Sequence, residues 1–235
     1  MPPLMIFAAG LGTRMRPLTR TRPKPLIAVA GRTLLDRALD LARAGGAGRI
    51  VVNTHYLGQQ IADHLAGSED VAISPETGPL LDTGGGLRAA LPLLTGKGAE
   101  AAQIGAVATL NPDVVWTGPN PITALHAAWS PDRMDALLML VPLRAARARM
   151  GPGDFSRDAQ GRIARRGDFV YAGAQIIAPA VLAQIPDAVF SLNQVWDRLI
   201  ARGRAFGIVH PGGWCDVGRP EAIAEAESLL AAADG

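Results

Sequence analysis

Lysine is almost missing from this chain. Of its 23 basic residues only Lys24 and Lys97 are lysines, and the arginines that make up the rest are scattered without a run. Proteins that follow a nucleic-acid backbone gather cations into a stripe, and a formal charge of +2 with no such stripe argues against that class. Cysteine occurs once, at Cys215, which excludes an intrachain disulfide framework and a cysteine-rich zinc site. The four histidines, His55, His64, His126 and His210, lie too far apart for metal-ligand spacing, and Ser156 and Ser191 sit in no nucleophile elbow. No stretch approaches the roughly 18 to 20 apolar residues of a membrane span, and no basic segment leads into an apolar run at the amino terminus. These absences point to a soluble, cytoplasmic protein.

What the chain does have is a hydrophobic fraction of 49% over 235 residues, ample for a core. One domain over 1–235 is expected, without internal repeat or linker. Leu4-Met5-Ile6-Phe7 has the composition of a buried strand, and Thr33 to Gly45 that of a helix capped by Thr33 and stopped by Gly45-Gly46. Arg49 to Thr54 is a strand, Gly58 to Leu65 a helix and Val71 to Ser74 a third strand. That alternation predicts a mostly parallel central sheet with helices on both faces. Further strands are expected at 106–110, 136–143, 169–178 and 206–210, and helices at 120–129, 191–201 and 220–233. From Arg144 to Asp168 the sequence turns polar and arginine-rich around a plausible turn, Asp158-Ala159-Gln160-Gly161, which predicts a small antiparallel flap over the sheet.

Chemistry concentrates just after the first strand. Ala8-Ala9-Gly10-Leu11-Gly12-Thr13-Arg14-Met15-Arg16 places two glycines two apart, so backbone N–H groups stand unshielded, and adds Arg14, Arg16 and then Lys24 as fixed cations. Bare donors and positive charge together suit a polyphosphate. The loop lacks the third glycine of a dinucleotide fingerprint and the Gly-Lys-Ser/Thr end of a Walker A loop, so neither a dehydrogenase nor a P-loop ATPase is supported. Gly84-Gly85-Gly86 precedes a helix expected over 88–94 and reads either as another close approach to a ligand or as a flexible surface loop. Asp113 and Asp216 each follow a predicted strand, where open α/β sheets bind ligands. Two carboxylates gathered with phosphate oxygens suit Mg²⁺. Trp116, Trp129, Trp196 and Trp214 read as core or pocket walls, and Trp214 stands two residues from Asp216.

These motifs, with Pro23-Lys24-Pro25-Leu26, His55-Tyr56-Leu57-Gly58-Gln59-Gln60-Ile61, Thr83-Gly84-Gly85-Gly86, Asn111-Pro112-Asp113 and Trp214-Cys215-Asp216-Val217-Gly218, resemble the signature of sugar-1-phosphate nucleotidyltransferases. The short length and the segments at 57–60 and 83–86 are most similar to members that uridylylate N-acetylmuramate 1-phosphate. The resemblance implies a Rossmann-like nucleotidyltransferase fold, divided into a nucleotide-binding half (1–143) and a sugar-binding half (144–235) with its flap at about 144–168. It implies that Ala8, Gly10, Leu11, Gly12, Thr13 and Arg14 hold the nucleoside triphosphate with Gly84 and Gly85, and that Lys24 meets the phosphates at the reacting centre. It implies Mg²⁺ at Asp113 and Asp216, UTP and a sugar 1-phosphate as substrates, no nucleic-acid or membrane partner, and a role in cell-wall precursor recycling. A minimal, monofunctional monomer without the carboxy-terminal extensions of longer relatives is expected. Such enzymes commonly carry a second lysine in the sugar half; here Arg149, Arg165 and Arg166 are the candidates to replace it. A guanylyltransferase using GTP and mannose 1-phosphate, and a non-catalytic nucleotide-binding regulator, are the rival readings.

Overall fold

Strand β1 (Leu4–Phe7) is followed by the motif loop and a small hairpin, β2 (Ala28–Val29) and β3 (Arg32–Thr33), in a computed structural model that describes residues 1–96 and 105–234. Next come α1 (Leu34–Ala44), β4 (Ile50–Thr54), α2 (Gly58–His64), β5 (Val71–Pro75) and α3 (Asp82–Thr95). Then follow β6 (Val107–Leu110), β7 (Val114–Trp116), α4 (Pro121–Ala128) and β8 (Ala136–Pro142). Strands β9 (Ala146–Arg147), β10 (Gly153–Arg157), β11 (Ile163–Gly167) and β12 (Phe169–Ile177) lead to α5 (Leu192–Ala201). The last elements are β13 (Ala205–Val209), β14 (Trp214–Asp216) and α6 (Ala222–Asp234).

Local chemistry sets these boundaries. Thr33 caps α1 through its Oγ1, which accepts the Asp36 N–H at 3.0 Å, and Gly46 turns the chain away at a φ of +74°. Asn120 caps α4 and Ser191 caps α5 in the same way.

The main sheet runs parallel through β5-β4-β1-β6, the α/β arrangement expected from the alternation of elements. Strand β12 then joins β6 in the antiparallel sense and carries β8 and, beyond it, β13. Side chains alternate across the sheet. Leu4 and Ile6 enter a core beneath α1, α2 and α4, while Met5 enters another beneath α3 and α5. The chain leaves β1 toward β4 on one side and reaches β6 on the other, so a crevice opens at the carboxyl end of β1.

Two features differ from expectation. The antiparallel unit at 144–168 is present as the β10–β11 hairpin, but Phe155 of β10 also pairs with Phe169 of β12. The hairpin is therefore continuous with the main sheet, and its far strand curls back so that Arg162 bridges Phe206 of β13. Beyond the last strand expected from the sequence, Trp214–Asp216 forms a further one, β14, which pairs antiparallel with β7 and parallel with β9 in a separate three-stranded sheet. Val115, Cys215, Ala226 and Leu229 form its own small core against α6.

Candidate active site

The motif loop is held in place by the burial of Ala8 and Met15 in the core and by polar contacts. The Ala8 N–H donates to Asn53 Oδ1 at 2.8 Å, and Thr19 Oγ1 donates to the Gly12 carbonyl at 2.7 Å. Tyr56 donates its hydroxyl to the Thr19 carbonyl, and Gln60 Nε2 donates to the Thr21 carbonyl. The 55–61 motif thus braces the opening loop from behind. Gly12 has a φ of +60°, and a Cβ there would press on Thr19 and on Lys24 Cβ at 3.0–3.1 Å, so only glycine fits. Gly10 has open space beside it, and the Leu11 side chain is exposed.

Behind this loop lies a cavity of about 420 Å³, lined by residues 8–15, Lys24, Asn53, Glu76 and Asp113. Asn53 and Glu76 are both buried and join their neighbours in a chain. Asn53 Nδ2 donates to Glu76 Oε1 at 2.7 Å, and Glu76 Oε2 accepts the Leu81 N–H at 2.9 Å. Sequence reasoning missed both. The available signal was a polar residue ending or following each of two adjacent, otherwise apolar strands.

A second cavity of about 420 Å³ opens beside the first, with Arg149, Arg165, Trp196, Trp214 and Asp216 in its wall. Arg14, Asp82, Thr83, Asn111 and Asp113 line both cavities and mark their junction. Trp214 is a pocket wall, its indole N–H donating to the Ala172 carbonyl at 2.9 Å.

The small sheet brings the two carboxylates together across 103 positions of sequence. Asp216 pairs with Val114, and the Val217 N–H donates to the Asp113 carbonyl at 2.9 Å. Pro112 does not disturb this register, because the β7–β14 pairing aims Asp113. Lys24 Nζ, nearly buried, donates to Asp113 Oδ2 at 2.6 Å. A Cβ on Gly218 would come 3.0 Å from Asp216 Oδ1 and 3.4 Å from Arg14 Nη1, so carboxylate and guanidinium rest against the same bare backbone.

Burial, and then the charge of Asp113, push the Asp216 carboxyl above the ordinary carboxylate range, against the opposing pull of Lys24, Arg14 and Arg149. An ionised Asp216 therefore costs the folded state free energy. That cost is complete above the folded pKa and vanishes below the unfolded one. Asp216→Asn should raise the thermal midpoint of the ligand-free protein at pH 7. The gain should fade as the pH falls through the raised pKa and be gone below the range of free carboxylates. A midpoint lowered at pH 7 would contradict this reading of the site.

Three of the expected site residues, Gly84, Gly85 and Arg166, line neither cavity. Gly84 and Gly85 occupy the first turn of α3 rather than a loop. Their N–H groups donate to the Phe190 carbonyl at 2.9 and 3.0 Å, and a Cβ on either would collide with Phe190 or the Ala188 carbonyl. Glycine is needed there for close packing, and Asp82 and Thr83 face the cavities instead. Gly84→Ala should accordingly lower stability by about 1–3 kcal/mol through overpacking, read as a reduced urea midpoint at unchanged m value. Arg166, exposed at a φ of +67°, lines neither cavity, whereas Arg149 and Arg165 line the second. Lys97 lies outside the described residues.

Among the described residues no helix is long and apolar enough to cross a membrane, and no group of three or more His, Cys, Asp or Glu residues could hold a metal ion.

The sequence profile of the MobA-like NTP transferase domain matches residues 4–165. The N-acetylmuramate alpha-1-phosphate uridylyltransferase of Caulobacter vibrioides is 40% identical over 242 residues, which cover 97% of this chain and 97% of that protein. The protein of the same name from Neisseria meningitidis is 35% identical over 238 residues, covering 97% and 98%. HddC from Yersinia pseudotuberculosis, solved in complex with GMP-PN, superposes with a TM-score of 0.75 over 98% of this chain and 100% of its own. At 19% identity that likeness speaks to the fold.

Proposed function

The chain belongs to the MobA-like NTP transferase family and is a sugar-1-phosphate nucleotidyltransferase, and from that premise we propose that it joins N-acetylmuramate 1-phosphate to UTP. The products are UDP-N-acetylmuramate and pyrophosphate, which returns the sugar to cell-wall precursors. The observation that carries this reading is the pair of abutting cavities whose junction holds Arg14 and Asp113, with Lys24 in one wall and Asp216 in the other. One cavity suits the nucleotide and the other the sugar phosphate. The choice of uracil and muramate rests on the names of the two relatives at 40% and 35% identity.

The reaction is a single displacement. An oxygen of the sugar phosphate forms a bond to the α-phosphorus of UTP, and the bond from that phosphorus to the bridging oxygen breaks, with pyrophosphate leaving on the electron pair. A phosphate monoester is already anionic near neutral pH, so no protein base is needed, consistent with the lack of a serine–histidine or cysteine–histidine pair among the described residues. The protein's task is to bring two anions together and neutralise the charge that gathers. In this role Arg14 holds the triphosphate at the junction. Lys24 exchanges Asp113 for phosphate oxygens as the substrates enter. Arg149, beside Asp216, takes the place of the missing lysine on the sugar phosphate.

The donor set also fits Mg²⁺, which is satisfied by one or two protein carboxylates when substrate phosphates and water complete its shell. Asp113 and Asp216 would hold it, and the ion would supply charge neutralisation at the α-phosphate and the departing pyrophosphate. A panel of UTP, GTP and CTP against N-acetylmuramate, N-acetylglucosamine and mannose 1-phosphates, scored by pyrophosphate release, tests the assignment. The highest kcat/KM is expected for UTP with N-acetylmuramate 1-phosphate. A maximum with GTP and mannose 1-phosphate would reassign the enzyme as a guanylyltransferase. Nucleotide binding without pyrophosphate from any pair would make it a regulator.

A further inference from the structure

We propose that Arg165 selects sugar phosphates that carry a second anion, a carboxylate, while Arg149 serves the phosphate common to all of them; this deepens the acidic-sugar reading above and rests on it. The two arginines reach the second cavity from different elements. Strand β9 lies parallel to β14 with Arg147 opposite Cys215, so Arg149, two residues on, arrives beside Asp216 and the reacting centre. Its Nη2 donates to Asp154 Oδ1 at 3.0 Å and its Nη1 to the Met150 carbonyl at 2.8 Å.

Arg165 comes instead from β11, the outermost strand of the sheet, separated from β6 by β10 and β12. Its Nε donates to Asp197 Oδ1 at 2.6 Å and its Nη2 to the Asn193 carbonyl at 2.9 Å, both on α5. The guanidinium carbon stands 4.9 Å from the centre of the Phe155 ring and 5.7 Å from that of Trp196. Hydrogen bonds and stacking thus fix the plane of the fork before any ligand arrives, which is the preorganisation that carboxylate recognition exploits.

The charge balance supports the same assignment. Arg149 is matched by Asp154, which itself lines the cavity. The partner of Arg165 is not in the wall: Asp197 is 59% exposed, so water screens its charge while the guanidinium faces the cavity. The sugar cavity therefore presents an arginine whose counter-charge lies outside its wall. A neutral sugar has no use for such a group, whereas the carboxylate on the lactyl ether of N-acetylmuramate does.

N-acetylmuramate and N-acetylglucosamine 1-phosphates differ only by that lactyl group, so they isolate one anion. The test is the ratio of their kcat/KM values with UTP in the wild type, Arg165→Gln and Arg149→Gln. The wild type is expected to favour the muramate. In Arg165→Gln the ratio should fall by at least about tenfold, the loss typical of a charged hydrogen bond. Arg149→Gln should depress both sugars together and keep the ratio. Arg165→Lys, which keeps the charge but not the fork, should recover part of the preference. Because both sugars are measured on one preparation, any loss of folded protein cancels. A ratio unchanged in Arg165→Gln, or one that collapses in Arg149→Gln, overturns the proposal and leaves the substrate reading standing. A wild type without preference for the muramate overturns the substrate reading itself.

Discussion

Asp113→Asn is expected to lower kcat by about a thousandfold or more, at least the upper end of what one preorganised electrostatic contact contributes. The carboxylate lines both cavities and faces Lys24 at 2.6 Å, so in the proposed reaction it would serve both substrates. Asparagine keeps an oxygen that can still accept from Lys24 Nζ, so the lysine is not stranded in a buried site. The Val217 N–H to Asp113 carbonyl bond is a backbone contact and survives the change. Far-UV circular dichroism should therefore match the wild type while pyrophosphate release is lost. Turnover within tenfold of wild type at saturating Mg²⁺ would remove Asp113 from the reacting centre.

Lys24→Met should cost about 100- to 1000-fold in kcat, with a smaller change in the KM for UTP. Ionised phosphates exist in the ground state too, but the charge on the departing pyrophosphate grows only as the bond breaks, and a fixed ammonium is worth most at that moment. Methionine preserves the aliphatic stem that packs against Gly12 and the loop. Asp113, whose side chain is 28% exposed, is left to water rather than buried without a partner. A rise in KM at constant kcat would instead mean that Lys24 only holds the triphosphate.

The parts of this site that the sequence revealed are those whose chemistry is contiguous. Gly10, Gly12 and Arg14 follow an apolar strand and need no partner to be recognised, and Asp113 and Asp216 each follow a strand expected from the sequence. The parts it concealed depend on neighbours distant in the chain. Asn53 and Glu76 matter because β4 and β5 lie side by side, which turns two isolated polar residues into one buried hydrogen-bonded pair. Gly84 and Gly85 signalled a close approach, but not that the approaching group was Phe190 rather than a ligand. Strand β9 has two residues and β14 three, too short for an alternating pattern, yet their pairing is what sets Arg149 beside Asp216 and so separates it from Arg165 and Arg166. The hairpin turn at 158–161 was legible from its residues. Its attachment to the sheet was not, since it rests on isolated contacts between segments distant in the chain, Phe155 with Phe169 and Arg162 with Phe206.

In the proposed reaction the two substrates sit side by side and react directly across the junction at Arg14 and Asp113. Initial rates of pyrophosphate release, with UTP and N-acetylmuramate 1-phosphate varied against each other, test it most directly. Direct transfer predicts that both substrates are required and that the double-reciprocal lines intersect. Parallel lines, or pyrophosphate released from UTP alone at a comparable rate, would mean a covalent nucleotidyl-enzyme or a hydrolase and would contradict the account.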